Sequence, residues 1–195
     1  MPVQLTDRMI SAYEYAFKLH KRQLRKSSEI PYIAHLMSVS ALVLECGGDE
    51  DQAIAGLLHD AVEDQGGERT LNEIQVRFGE RVAEIVAGCS DSFGFPKPSW
   101  RSRKENYLAH LSTANSDILI VSLADKLHNA RSILSDYRKI GRDVWKRFNG
   151  GQSGTLWYYN QLVSIFSRLL PESPLTAELS QVIESINQLD REQSQ

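Results

Sequence analysis

The chain has 195 residues, 42% of them hydrophobic, and a formal net charge of −3, which suits one domain with a sizeable core. Its lysines and arginines are dispersed and the sequence pI is about 6.0, so nothing resembles the basic footprint of a nucleic-acid binder. Cys46 and Cys89 are too few and too far apart for a disulfide framework, and no apolar run approaches the ~20 residues of a membrane span.

In chain order, Leu5, Met9, Ile10, Tyr13, Ala16, Phe17 and Leu19 recur at helical spacing and predict an amphipathic helix over 5–23, capped by Thr6 or Asp7. This stretch carries no long apolar run and no small-residue cleavage site, giving the expectation of a cytoplasmic protein. After RKSSEI, Pro31 suits the first turn of a second helix to about residue 45, ended by Gly47-Gly48. Residues 49–62 read as a third helix. Thr70 followed by Glu73 is a capping-box pattern opening a short helix to Phe78, and residues 80–89 continue the helical periodicity. Both cysteines fall in apolar segments and read as reduced core residues.

Two prolines and a glycine make SDSFGFPKPSW a loop. Helical patterning resumes over 99–111 and again over 117–137, where ILIVSLADKLHNARSIL is apolar enough to be a central helix. RFNGGQSGT reads as a second loop, and closing helices follow over 155–169 and 174–188. The tail REQSQ is polar and expected to fray. With little strand signal and no repeat or composition shift, the expectation is an all-α, compact single-domain bundle over 1–189, with a polar C-terminal tail over 190–195.

Chemistry concentrates in three places. In GLLHDAVED, a helix turning ~100° per residue puts His59, Asp60, Glu63 and Asp64 on one arc of about 140°, opposite Ile54, Ala55, Leu57, Leu58, Ala61 and Val62. Taken alone, that arc also fits a solvated acidic face. Asp125, however, follows the apolar run ILIVSLA, where an ionised carboxylate needs a partner or a metal. It shares a stripe with His128, Asn129 and Ser132, and His35 stands one turn into the second helix after PYIA. Two imidazoles and two carboxylates suit Mn²⁺ or a similar ion and leave positions for water. Arg25 and Lys26 can hold phosphate oxygens. Lys97, Arg101, Arg103 and Lys104 crowd PKPSWRSRK, either as a solvated charge run or as cations for distal phosphates, while His20 and His110 read as structural.

The order His, His-Asp, Asp resembles the HD phosphohydrolase superfamily. RKSSEIPYIAH, HDAVED and ADKLHNARSIL are similar to the motifs of the RelA/SpoT-type alarmone hydrolase domain and the stand-alone small alarmone hydrolases, over about residues 5–170. The resemblance implies an HD-type fold in which His35, His59, Asp60 and Asp125 bind one Mn²⁺ per chain. It also implies that Glu63 and Asp64 position or deprotonate the attacking water. Arg25, Lys26, Asn129, Ser132 and Tyr158 then form the nucleotide pocket, with Tyr159 as an alternative alignment for the last. The implied reaction removes the 3′-pyrophosphate of (p)ppGpp. Alternatives are (p)ppApp, a 3′-phosphorylated dinucleotide cofactor or a dNTP as substrate, or an antitoxin-like module that neutralises alarmone. Beyond the nucleotide, the candidate partners are a second copy of the chain and an alarmone-synthetase toxin. The sequence departs from the family pattern at Ile30, an extra residue before Pro31, and at Ser28, where the family commonly has Gly.

Overall fold

In the computed structural model, which describes residues 3–26, 28–90 and 98–192, every regular element is helical. The order is α1 (Asp7–His20), α2 (Ile33–Glu45), α3 (Glu50–Leu58), α4 (Ala61–Gln65), α5 (Gly67–Phe78), α6 (Glu80–Cys89), α7 (Trp100–Leu111), α8 (Ser116–Ile140), a 3₁₀ segment (Gly141–Arg147), α9 (Gly151–Leu169) and α10 (Pro174–Glu192). None of these helices is long and apolar enough to cross a membrane. The chain packs as two compact units, Met1–Lys97 with Ala114–Asp125, and Pro98–Thr113 with Lys126–Gln195.

In the first unit, Thr6 caps α1 by accepting from the Arg8 amide, and Asp49 caps α3 in a reciprocal box with Gln52. Helices α2 and α3 approach closely at Gly56. A Cβ at Gly56 would meet the Ser40 Cα at 3.1 Å and its amide nitrogen at 3.2 Å, so any larger residue would push the α2 backbone back by a few tenths of an ångström. Ser40 also donates its hydroxyl to the Ala53 carbonyl at 2.8 Å. Leu36, Val39, Val43, Ile54 and Leu58 fill the interior around this contact. On the polar side, Arg81 of α6 joins Asp49 at 2.7 Å and Asp117 of α8 at 2.8 Å.

Two expectations for this unit are corrected. The helix expected over 49–62 breaks at His59-Asp60. The His59 Nδ1–H donates to the Gly56 carbonyl at 2.8 Å, one of the acceptors that a helix end leaves unfilled. Asp60, at φ −97° and ψ −2°, then starts α4. The capping box expected at Thr70 is absent, because Gly66 and Gly67 have φ of 144° and 60° and restart the helix four residues earlier, with Gly66 as its N-cap. Thr70 is instead buried inside α5, donating to the Gln65 carbonyl at 3.2 Å. The cysteines are half-buried thiols: Cys46 Sγ donates to the Val43 carbonyl at 3.1 Å, and Cys89 Sγ lies 3.6 Å from Ser122 Oγ.

In the second unit, Leu111, Leu127, Ala130, Leu162, Phe166 and Leu179 are fully buried. The stretch RFNGGQSGT is only partly a loop, since α9 begins at Gly151. Gly150 and Gly154 make a seat for Trp100, whose ring a Cβ at either position would meet at 2.6 and 3.0 Å. Helix α10 runs on through Glu192, so position 190 is a helical residue and not the start of a polar tail. Asp190 is buried and accepts from Tyr137 Oη at 3.2 Å, Trp145 Nε1 at 3.3 Å and the Gln152 amide. Arg142 Nε adds a cation 3.6 Å away. Residues 193–195 of the expected tail, and 91–97 of the first loop with Lys97, lie outside the described residues.

Candidate metal centre

Three elements of the first unit converge. His35 comes from the first turn of α2, His59 and Asp60 from the break between α3 and α4, and Asp125 from α8. His35 Nε2 is 3.2 Å from Asp125 Oδ1 and 3.7 Å from Asp60 Oδ2. His59 Nε2 is 3.0 Å from Asp60 Oδ2 and 3.6 Å from Asp125 Oδ1. His35, His59 and Asp125 are each buried and offer ligand atoms within 4.8 Å of one another, while the Asp60 side chain keeps 24% of its exposure.

The chemistry of this donor set fits a divalent cation. Because a carbonyl oxygen only accepts, the bond to Gly56 puts a proton on His59 Nδ1 and turns Nε2 toward the carboxylates. Burial works against charge on His59, but the adjoining Asp60 and Asp125 outweigh it and hold its pKa well above the ordinary histidine value. Burial likewise opposes ionisation of Asp60, yet the charge on His59 and the nearness of the His35 and His59 imidazoles keep its pKa well below the usual carboxylate range. The pocket therefore attracts positive charge, and a divalent cation would take the place of the Nε2 proton, since imidazole nitrogens that have released it and carboxylate oxygens are donors that Mn²⁺ and similar ions accept.

Around the centre stands a group that the sequence reading did not single out. Tyr32 donates its hydroxyl to Asp60 Oδ2 at 2.5 Å. Its ring stacks on buried His20, with centroids 5.4 Å apart and planes at 21°, and meets His35 edge-on at 5.5 Å. Burial, and then the charge of Asp60, push the Tyr32 phenol pKa far above its ordinary value, so the group stays a donor. His20 Nδ1 is 2.8 Å from Gln23 Oε1, and Gln23 Nε2 donates to Asp64 Oδ2 at 2.7 Å. Burial lowers the His20 pKa, which agrees with a structural histidine. The available signal for Tyr32 was its place in PYIAH, three residues before His35.

The remaining predicted residues are distributed as follows. Glu63 is half-buried and Asp64 exposed, both on α4 beside Asp60. Arg25, half-buried, and Lys26, exposed, lie in a turn closed by a bridge between Leu24 and Pro31. Arg25 N donates to the Ile30 carbonyl at 2.8 Å, and Ser28 N and Oγ both donate to the Arg25 carbonyl at 3.1 Å. The additional residue Ile30, and Ser28 in the place of the family's usual Gly, both bond to Arg25 within that turn. Asn129, Ser132 and Tyr158 belong to the second unit. Asn129 and Ser132 are half-buried on α8, where Ser132 Oγ donates to the His128 carbonyl at 3.0 Å. Tyr158 is buried on α9 with Lys104 Nζ 5.0 Å from its ring centroid, and Tyr159 beside it is also buried. Arg101 stacks 3.3 Å over the Trp157 ring and pairs with Glu105, so its charge is held within this unit.

Several known proteins are similar to this chain. A family described as "HD domain" matches residues 12–155. A probable guanosine-3′,5′-bis(diphosphate) 3′-pyrophosphohydrolase of Synechocystis is 39% identical over 126 residues, 63% of this chain and 16% of the relative. The chain thus spans about a sixth of that relative's length. The guanosine-3′,5′-bis(diphosphate) 3′-pyrophosphohydrolase MESH1 of Xenopus tropicalis is 37% identical over 128 residues, 64% of this chain and 69% of the relative. A solved structure of a metazoan ortholog of SpoT, described as hydrolysing ppGpp, shares the fold at a TM-score of 0.74 and 23% identity, over 93% of this chain and 97% of that one. Because the family match takes in most of the chain, and the Xenopus relative is matched over more than two thirds of its own length, this protein belongs to the HD-domain family.

Proposed function

We propose that this chain is a metal-dependent phosphohydrolase that removes the 3′-pyrophosphate of (p)ppGpp, giving GDP or GTP and pyrophosphate. The observation that carries the reading is the buried meeting of His35, His59 and Asp125 with Asp60 at its edge. The names of the Synechocystis and Xenopus relatives support the substrate class. Residues His35, His59, Asp60 and Asp125 hold one cation, Mn²⁺ in this reading. When bound, such an ion lowers the pKa of water toward neutrality and offsets phosphate charge.

Glu63, adjacent to the centre on α4, takes the proton of the attacking water, and Asp64, tethered by Gln23, orients that water. Arg25 holds phosphate oxygens through its planar fork and Lys26 as a point charge. Asn129, Ser132 and Tyr158 contact the nucleotide; their role rests on the ADKLHNARSIL and WYYN motifs. The protein acts in the cytoplasm, with a second copy of itself and an alarmone-synthetase toxin as candidate macromolecular partners.

The deciding experiment incubates the purified protein and Mn²⁺ with ppGpp, ppApp, NADPH and the dNTPs, with products separated by chromatography. GDP and pyrophosphate from ppGpp are expected. Turnover of another member alone replaces the substrate assignment, and tight binding of ppGpp with no product in any divalent metal favours a sequestering module.

A further inference from the structure

The carboxylate of Asp60 is the most exposed of the four proposed ligands and stands on a two-residue break between helices. A carboxylate in that position keeps rotational freedom about its side-chain bonds unless something outside the ligand set restrains it. The restraint present is Tyr32. Its hydroxyl reaches the same oxygen, Asp60 Oδ2, that faces His59 Nε2 at 3.0 Å and His35 Nε2 at 3.7 Å. A carboxylate oxygen has two lone-pair directions, so a phenol bound along one leaves the other for the cation.

The phenol is itself held. Buried His20 lies under one side of its ring and His35 meets it edge-on. His20 in turn is fixed through Nδ1 by Gln23, whose amide holds Asp64. One aromatic plate thus restrains both a proposed ligand and a proposed water-orienting carboxylate, through groups that are not ligands. We propose that Tyr32 is a positioning residue of the metal centre, fixing Asp60 Oδ2 by its hydroxyl from a ring seated between His20 and His35. The inference rests on the metal-binding reading given above.

The test is a calorimetric titration of Mn²⁺ into the metal-free protein, comparing wild type with Tyr32→Phe, together with circular dichroism and thermal melting of both metal-free proteins. Tyr32→Phe keeps the ring on His20 and removes one oxygen. The expected result is an Mn²⁺ affinity lower by about 10–100-fold, the usual cost of losing a group that orients a ligand, with the spectrum and metal-free melting unchanged. Saturating Mn²⁺ then restores much of the turnover, which places the loss in metal binding. A loss in affinity below about fivefold, well short of that range, overturns the inference. So does a loss matched by partial unfolding of the metal-free variant, which marks Tyr32 as a fold residue. Wild type that binds no Mn²⁺ at all overturns the metal reading itself and the inference with it.

Discussion

His59 donates its Nδ1 proton to the carbonyl oxygen of Gly56 at 2.8 Å, and this bond both ends α3 and aims Nε2 at the carboxylates of Asp60 and Asp125. The glycine has a second duty, since its missing Cβ lets α2 approach and bring His35 to the same place. With the orienting contact in place, metal binding depends on the donor atoms themselves. Asp60→Ala is expected to abolish both Mn²⁺ retention and hydrolysis, and chelation is expected to silence the wild type reversibly. Metal content after dialysis measures the first and recovery of product formation on Mn²⁺ addition the second; full activity of Asp60→Ala in metal-free buffer refutes the assignment.

Glu63 stands on α4 just beyond Asp60 and is not among the proposed ligands. Glu63→Gln is expected to keep one Mn²⁺ per chain while lowering kcat by ~10²–10⁴-fold, the range for loss of a general base. Steady-state kinetics at saturating nucleotide, with metal content measured on the same sample, separate this from a binding defect. An unchanged kcat removes Glu63 from the mechanism.

Asp190 gathers the hydroxyl of Tyr137, the indole N–H of Trp145, the Gln152 amide and the Arg142 cation. Asp190→Ala leaves those buried donors without their acceptor and is expected to cost about 2–4 kcal/mol. Urea unfolding followed by tryptophan fluorescence reports it, because Trp145 lies in the cluster. A change below about 0.5 kcal/mol, the size of an ordinary surface substitution, contradicts the account.

Asp117 accepts from Arg81 and Gln52, and the Arg81 bond, acting against burial, lowers its pKa. A carboxylate with a depressed pKa in the folded state stabilises the fold above its unfolded pKa. That contribution disappears as pH falls through the folded value. Asp117→Asn is therefore expected to be less stable than wild type by about 0.5–1.5 kcal/mol near neutral pH, a modest figure because Arg81 is partly exposed. The gap should close below about pH 4, the ordinary aspartate range. A gap that persists or widens in acid means that the carboxylate charge is not the stabilising element.

Much of the centre was legible in the sequence, because its information is local. His35, His59-Asp60 and Asp125 sit in short motifs, and the apolar run before Asp125 announces a buried carboxylate. The break at His59-Asp60 was not legible: Ala61 and Val62 continue the apolar periodicity across it, and the turn comes from a side chain bonding its own backbone. The start of α5 was misread for a related reason, since Thr70 and Glu73 carry the capping pattern while the actual restart depends on two glycines at positive φ. Tyr32 and Asp190 escaped because their partners are remote. Tyr32 finds Asp60 28 residues away and Asp190 finds Tyr137 53 residues away, distances over which periodicity carries no signal.

The buried acceptor in α10 also sets an order on biosynthesis. A nascent chain has exposed all four proposed metal ligands once residue 125 has left the ribosome, so the first unit's centre can assemble while translation continues. The cluster around Tyr137 and Trp145 has no such head start. It must wait for Asp190, within the last described turn of α10, so a chain cut short before that residue has a second unit whose aromatic donors face no acceptor.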